Sequence, residues 1–191
     1  MNKIIGILGM QGAIAEHQEI LIQIPDTKTR IVKTAKDLDC IDGLILPGGE
    51  STAIGKLLDY FSLKEILQEK IISGLPVFGT CAGLILLAKN IENQTNTHLA
   101  TMDITVKRNG YGSQLDSFST NLLIPTIDKN MPIPLVFIRA PYITKTDKDV
   151  QILATLDNKI IAARQKNMLV SSFHPELTND LRFHQYFLSM I

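Results

Sequence analysis

The sequence predicts an α/β fold, an open three-layer sandwich with helices on both faces of a mostly parallel central sheet. Three observations favour this class. Short apolar runs typical of buried strands alternate with helical patterns as far as Lys89. Residues of types common in active sites directly follow several of these runs. They lie at the strand ends, where open α/β sheets have their binding and active sites. The composition, 45% hydrophobic and 20% charged, is typical of a globular protein.

Composition and charge exclude several classes of protein. Lys and Arg together number 19, as do Asp and Glu, so a net charge of zero gives no bias toward nucleic acid. The apolar run after Met1 is too short for a signal peptide, and no run approaches the roughly 18 apolar residues of a membrane span. We therefore expect one domain over residues 1–191, located in the cytoplasm. Two cysteines and four histidines without ligand spacing predict neither a disulfide framework nor a metal site.

The N-terminal half is expected to alternate strands with helices. Ser62 and Glu65 have the spacing of a capping box for the third helix. His17, among the polar residues of the first helix, is expected to face solvent. A dinucleotide loop at Gly6, Gly9 and Gly12 is disfavoured because the G-x-G-x-x-G spacing is absent. The predicted strands cover 3–8, 30–33, 43–46 and 76–78, and the predicted helices 13–24, 52–60, about 64–72 and 83–89.

The C-terminal half is expected to be richer in strands. Asp157-Asn158 is a good hairpin turn between two of them. A further turn is predicted at 109–112, and a terminal helix at 179–190. The predicted strands cover 102–107, 117–124, 132–138, 150–156, 159–163 and 168–173.

The stretch Gly79-Thr80-Cys81-Ala82-Gly83 indicates a nucleophile on a sharp strand-to-helix turn. Such a turn brings neighbouring backbone close, and glycines two residues before and after Cys81 allow this approach. The turn would also place the thiol at a helix N-terminus, where the dipole favours the thiolate. A buried structural cysteine is the alternative for this stretch alone. Cys40 has no such frame.

Two further segments supply groups that a thiol nucleophile needs. Gly48 and Gly49 follow a predicted strand directly and leave backbone N–H groups for an oxyanion, although a plain turn fits this segment alone equally well. His174-Pro175-Glu176 follows the last predicted strand. The imidazole can act as base and acid while the carboxylate orients it. A strand-end turn with a solvated acid is the alternative there.

These motifs resemble the class I triad glutamine amidotransferases, and more narrowly the glutaminase subunits of pyridoxal 5'-phosphate synthase. The resemblance extends from Lys3 to the terminal helix and implies a flavodoxin-like fold. Gly110-Tyr111 departs from it, because a serine followed by an aromatic residue is commoner there. The narrower match rests on Leu8-Gly9-Met10-Gln11-Gly12, Gly48-Gly49-Glu50-Ser51, Arg108-Asn109, Gln114-x-Asp116-Ser117-Phe118, Phe137-Ile138-Arg139-Ala140-Pro141 and Ser172-Phe173-His174-Pro175-Glu176-Leu177-Thr178.

The resemblance implies a role for each matching residue. Cys81 would be the nucleophile, His174 the base and acid, and Glu176 its orienter. Gly49 would lie near the oxyanion. The chemistry agrees, because an arginine can hold the α-carboxylate of a free amino acid and a carboxylate can hold its ammonium group. The residues expected to bind glutamine are Gly49, Glu50, Ser51, Arg108, Ile138 and Arg139.

The implied reaction is hydrolysis of L-glutamine to L-glutamate and ammonia through a γ-glutamyl thioester, without a cofactor in this chain. The ammonia would pass to a phosphosugar-binding synthase subunit that contacts residues 11–13 and the glycine loop. The isolated chain would be slow if that loop turned a carbonyl inward. Three alternatives stay open: the glutaminase of another complex such as imidazole glycerol phosphate synthase, a peptidase or esterase on the same type of sheet, and an inactive scaffold.

Overall fold

A computed structural model describes residues 2–110 and 117–191, which contain twelve strands and five helices. The helices are α1 (Ile14–Leu21), α2 (Ser51–Tyr60), α3 (Lys64–Ile72), α4 (Ala82–Leu87) and α5 (Arg182–Leu188). The strands are β1 (Lys3–Leu8), β2 (Thr27–Val32), β3 (Gly43–Leu46), β4 (Val77–Thr80), β5 (Ala88–Ile91), β6 (Met102–Lys107), β7 (Ser117–Leu122), β8 (Ile133–Ile138), β9 (Tyr142–Thr146), β10 (Gln151–Leu156), β11 (Lys159–Gln165) and β12 (Met168–Ser171). Short 3₁₀ turns lie at Ala35–Cys40 and Pro175–Leu177.

The central sheet begins with five parallel strands in the order β2-β1-β3-β4-β12. Each of β3, β4 and β12 is fully buried, as expected for parallel strands covered on both faces. In the register of the last pair, Thr80 lies opposite Ser171. The strand that ends before Cys81 therefore lies beside the strand that ends before His174.

The sheet continues beyond β12 through β11, β9, β6 and β5, mostly antiparallel, with β10 paired to β11. The hairpin turn at Asp157-Asn158 forms as predicted, and both residues have positive φ. Strands β7 and β8 form a separate antiparallel pair. This pair matters for the site because Ile138, its last residue, lies beside Cys81.

Two apolar cores lie on opposite faces of the sheet. In β3, Leu44 and Leu46 pack into the core beneath α2, α3 and α4. Ile45, between them, packs into the opposite core with α1, α5 and the β7–β8 pair. This alternation follows from strand geometry, in which successive side chains point to opposite faces. The predicted α/β sandwich with a mostly parallel central sheet is confirmed.

Several local predictions are wrong. The helix predicted at 83–89 ends at Leu87, because Ala88 starts β5 and pairs with Met102. Ser62 does not cap α3; it has a left-handed φ of 54°, and the N-cap is Leu63. A capping box forms instead at Thr34 and Asp37.

Three further findings concern the rest of the chain. The terminal helix spans Arg182–Leu188, shorter than the predicted 179–190. The predicted turn at 109–112 is described only as far as Gly110, and Gln114 and Asp116 lie outside the described residues. None of the helices in the described part of the chain has the length and apolar character needed to cross a membrane.

Candidate active site

Cys81 lies at the junction of β4 and α4, in a strained backbone conformation. Its φ of 49° and ψ of −97° are unusual for a residue with a side chain. Its N–H donates to the carbonyl of Ser171 on the neighbouring strand at 2.8 Å, which holds the turn in place. The Sγ atom lies 4.0 Å from the carbonyl oxygen of Ile138, and the residue is 8% exposed. The thiol is thus presented from a rigid turn.

Gly79 and Gly83 explain why this turn can form. A Cβ atom on Gly79 would lie 2.6 Å from the carbonyl carbon and oxygen of Gly83. A Cβ atom on Gly83 would lie 2.1 Å from the carbonyl oxygen of Leu46 in β3. These are backbone contacts, so no side chain can move aside to relieve them. Both glycines are therefore required by the close approach of chain around Cys81.

His174 and Glu176 form a buried pair at the end of β12. Nδ1 of His174 lies 2.7 Å from Oε1 of Glu176, and the residues are 7% and 5% exposed. The backbone N–H of His174 donates to the carbonyl of Val136 in β8, which anchors the turn. Pro175 begins a short 3₁₀ turn that carries Glu176 back beneath the imidazole.

The surroundings of His174 favour its charged form. Burial alone would lower its pKa, but hydrogen bonding and charge interactions with Cys81 and Glu176 raise the pKa to about 10. Burial raises the pKa of Glu176, but the neighbouring His17 and His174 hold it below its usual value. At neutral pH the pair is therefore an imidazolium held by a carboxylate.

The glycine loop after β3 is held by two other elements. The N–H of Gly48 donates to Oγ1 of Thr80 at 3.0 Å. The carbonyl of Gly48 accepts from the N–H of Ala13 at 3.0 Å. Because a trans peptide has its C=O and N–H on opposite sides, the N–H of Gly49 points away from Ala13. The orientation of this peptide thus depends on the chain that leads into α1.

Glu50 and Arg108 are paired with each other in this structure. Nη2 of Arg108 lies 2.9 Å from Oε1 of Glu50, and Nη1 lies 3.1 Å from Oγ1 of Thr52. Glu50 also caps α2 by accepting from the backbone N–H groups of Thr52 and Ala53. Both predicted substrate-binding side chains are therefore fixed at one rim of the site.

One pocket of about 490 Å³ contains nearly all of the predicted site residues. Glu176 is the exception, since it lies behind His174. Ser51 is buried, and its Oγ has no hydrogen-bond partner within residues 2–110 and 117–191. Arg139 has a left-handed φ of 42° and an exposed side chain. The predicted residues that line the pocket are Gly49, Glu50, Ser51, Cys81, Arg108, Ile138, Arg139 and His174.

The prediction that His17 faces solvent is wrong. It is 0% exposed, and its Nε2 lies 3.6 Å from Oε1 of Glu176. Sequence reasoning also missed Thr80, which holds Gly48, and Gln11, whose Oε1 accepts from the N–H of Glu50 at 2.8 Å. The position of Thr80 beside the nucleophile was the available signal, but its partner lies 32 residues away along the chain.

The donor set of the site suits acyl transfer. Within residues 2–110 and 117–191, no group of three or more His, Cys, Asp or Glu side chains is arranged to hold a metal ion. The pocket combines a thiol on a strained turn, a paired imidazole and a loop with backbone N–H groups. Together with the sheet topology, these features are the arrangement expected of an α/β enzyme with a cysteine nucleophile.

The chain belongs to the SNO glutamine amidotransferase family, whose model matches residues 7–191. It is 53% identical over 189 residues to "Pyridoxal 5'-phosphate synthase subunit PdxT" of Ruminiclostridium cellulolyticum, covering 99% of this chain and all of that protein. It is 54% identical over 187 residues to the protein of the same name from Carboxydothermus hydrogenoformans, covering 98% of this chain and 97% of that protein.

Solved structures agree with this family assignment. A glutamine amidotransferase crystal structure matches with a TM-score of 0.90 and 38% identity, covering 97% of each chain. The structure of PurLQS from Thermotoga maritima matches with a TM-score of 0.68 at 15% identity, which shows the shared fold alone.

Proposed function

We propose that this chain is the glutaminase subunit of a pyridoxal 5'-phosphate synthase and hydrolyses L-glutamine with Cys81, His174 and Glu176. The observation that carries the proposal is the placement of Cys81 and His174 in one pocket, with Glu176 2.7 Å behind the imidazole. The relatives named as subunits of this synthase favour it over the glutaminase of imidazole glycerol phosphate synthase.

The first step is attack of the Cys81 sulfur on the carboxamide carbon of glutamine. The thiolate is the attacking form of a cysteine. His174, whose raised pKa keeps it an imidazolium at neutral pH, carries the proton that the next step needs. The negative charge that develops on the amide oxygen needs hydrogen-bond donors. The N–H of Gly49 is one donor, and the N–H of Ala82, at the start of α4 and on the pocket wall, is the other.

Collapse of this intermediate breaks the C–N bond. His174 gives its proton to the leaving nitrogen, so ammonia departs and the γ-glutamyl thioester remains on Cys81. The imidazole, now neutral, takes a proton from water, and the hydroxide attacks the thioester. Cleavage of the C–S bond then releases glutamate, whose carboxyl proton passes to ammonia or solvent, and returns the sulfur beside the imidazolium of His174. Glu176 keeps the ring oriented throughout.

The rest of the pocket is proposed to recognise the free amino acid. Arg139 and Arg108 can hold the α-carboxylate by charge-assisted hydrogen bonds, with Glu50 available to the ammonium group. Ser51 and the backbone of Ile138 complete the site. We further propose that residues 1–191 form one amidotransferase domain in the cytoplasm, that the chain needs no cofactor of its own, and that its ammonia is channelled to a phosphosugar-binding synthase subunit.

A coupled assay tests this function. Glutamate and ammonia are measured with the chain alone and with the synthase subunit of a pyridoxal 5'-phosphate synthase. The expected result is glutamine hydrolysis with the synthase and pyridoxal 5'-phosphate formation when sugar phosphates are added. Cys81→Ala should abolish ammonia release while glutamine still binds. Substantial turnover by Cys81→Ala, or cleavage of peptides or esters in preference to glutamine, would refute the assignment.

A further inference from the structure

A buried polar cluster lies behind the triad, outside the pocket. His17 of α1 and His184 of α5 are both 0% exposed, and Nδ1 of His17 lies 3.0 Å from Nε2 of His184. Nε2 of His17 lies 3.2 Å from Oγ1 of Thr80 and 3.6 Å from Oε1 of Glu176. The mechanism above uses neither histidine. Burying polar groups of this kind costs stability through their desolvation, so their presence behind the triad calls for an explanation.

Both rings are neutral. Burial lowers the pKa of His17, and burial and the nearby His17 lower the pKa of His184 to about 3. A neutral imidazole carries one N–H and one lone pair, so the tautomer decides what His17 offers to Glu176. A lone pair on Nε2 would face the carboxylate and repel it.

The surrounding hydrogen bonds select the favourable tautomer. The tautomer decides which ring donates in the contact between Nδ1 of His17 and Nε2 of His184. Among the described residues Nδ1 of His184 has no hydrogen-bond partner, and a buried lone pair costs less than a buried N–H. We therefore assign the arrangement in which Nε2–H of His184 donates to Nδ1 of His17. The proton of His17 is then on Nε2, which lies within hydrogen-bond distance of Oγ1 of Thr80 and 3.6 Å from Oε1 of Glu176.

Thr80 extends the contact to the oxyanion loop. Its Oγ1 accepts from the N–H of Gly48 at 3.0 Å, so His17 and Gly48 share one hydroxyl. Oε1 of Glu176 is hydrogen-bonded to His174 at 2.7 Å and lies 3.6 Å from Nε2 of His17, close enough for an electrostatic interaction with an N–H dipole but too far for a hydrogen bond. Its Oε2 has no hydrogen-bond partner among the described residues. His17 therefore touches the residues that position both the imidazole and the loop.

On this geometry, and resting on the proposed glutaminase function, we propose that His17 is a positioning residue. Its N–H dipole, 3.6 Å from Oε1, favours the ionised form of Glu176, and its hydrogen bond to Thr80 holds the loop at Gly48. His17 does not line the pocket, so it does not contact glutamine. In the described part of the chain, the titratable groups facing Glu176 are His174 from its own turn and His17 from α1, with His184 of α5 behind.

Two variants that differ by one methylene test the proposal. The amide nitrogen of Gln reaches the position of Nε2 of a histidine, whereas that of Asn reaches only the position of Nδ1. With the synthase subunit present, His17→Asn should lower kcat about 10-fold or more with an unchanged KM for glutamine. His17→Gln should retain most of the activity. The acid limb of kcat should move to higher pH in His17→Asn, because the pKa of Glu176 rises when the N–H is lost.

Leu21→Ala is the matched control for a purely structural effect. Leu21 is 0% exposed on the same helix and belongs to an apolar cluster that does not include Cys81, His174 or Glu176. The Leu21→Ala variant should have a lower Tm, while its kcat and the pH profile of kcat stay unchanged. If His17→Asn behaves like Leu21→Ala, or if Asn and Gln give equal activity, the proposal is wrong.

A measurement on the unmodified chain tests the proposal even if the variants fail to fold. Nitrogen NMR of the chain with ¹⁵N-labelled histidine should show His17 neutral at pH 7 with the proton on Nε2. A proton on Nδ1, or an imidazolium, would overturn the proposal. Failure of the glutaminase function is distinct, because the wild-type complex would then release no ammonia while the tautomer of His17 stayed as assigned.

Discussion

Nδ1 of His174 lies 2.7 Å from Oε1 of Glu176, and both side chains are buried at the end of β12. A single proton on Nδ1 satisfies this contact, so in the proposed mechanism Nε2 is the atom that exchanges protons with Cys81 and the substrate. The pair therefore fixes both the orientation and the tautomer of the ring.

This division of roles predicts unequal losses at the two positions. His174→Ala should abolish turnover, because among the described residues that line the pocket no other imidazole lies beside Cys81 to carry the proton. Glu176→Gln should be much milder, since a neutral amide can still accept from Nδ1–H. Ammonia release by both variants, at saturating glutamine with the synthase subunit, is the measurement. Equal losses, or the reverse order, would contradict the assigned roles.

The charge of His174 gives a second prediction. Its pKa of about 10 lies above the ordinary value of 6.5, so the imidazolium persists at pH 7 and is lost as the pH rises toward 10. Glu176→Gln removes an anion that stabilises the imidazolium, so the pKa should fall. NMR titration of labelled histidine checks both values, with half-buried His98 as the unaffected control. A neutral His174 at pH 7 in the wild type would contradict the prediction.

Arg139 is expected to bind substrate, so its loss should act mainly on KM. Arg139→Ala removes a charge-assisted contact worth roughly 1.5–3 kcal/mol, which corresponds to about a 10- to 100-fold rise in KM. The control Arg139→Lys keeps the charge and should raise KM less. An unchanged KM in steady-state kinetics with Arg139→Ala would remove this residue from the glutamine site.

The glycine loop predicts dependence on the synthase subunit. Ala13 and Gln11 hold the loop at Gly48 and Glu50, so a partner that docks on residues 11–13 would act on the peptide that carries the proposed oxyanion donor. One such donor is worth roughly 10²–10³ in rate. The glutaminase rate at saturating glutamine should therefore rise by one to several orders of magnitude when the synthase is added. An isolated chain already at full speed would exclude this gating.

The parts of the fold that follow from local pattern were predictable from the sequence. Both ends of β1 and β3 were predicted correctly, because short apolar runs bounded by polar residues or glycine define buried strands. The turn at Cys81 was predicted correctly as well, because it needs glycines nearby for a steric reason that is visible in the local sequence.

The failures share a different cause, namely contacts between distant residues. Strand β9 (Tyr142–Thr146) was not predicted, and β5 was assigned partly to a helix, because each depends on pairing with β6. The burial of His17 depends on Thr80, His184 and Glu176, which lie on other elements. The helical pattern around it, with exposed Glu19, gave no sign of these partners.

The left-handed backbone of Arg139 has a consequence for natural selection. A φ of 42° costs a residue with a Cβ atom about 1–2 kcal/mol, which glycine would avoid. Glycine would lower the free energy of unfolding by about 0.4–1 kcal/mol, because it gives the unfolded chain greater conformational freedom. Pressure for stability alone would therefore favour glycine at this position. Arg139 therefore carries a cost in folding stability at the pocket rim, which the substrate contact proposed for this residue would offset.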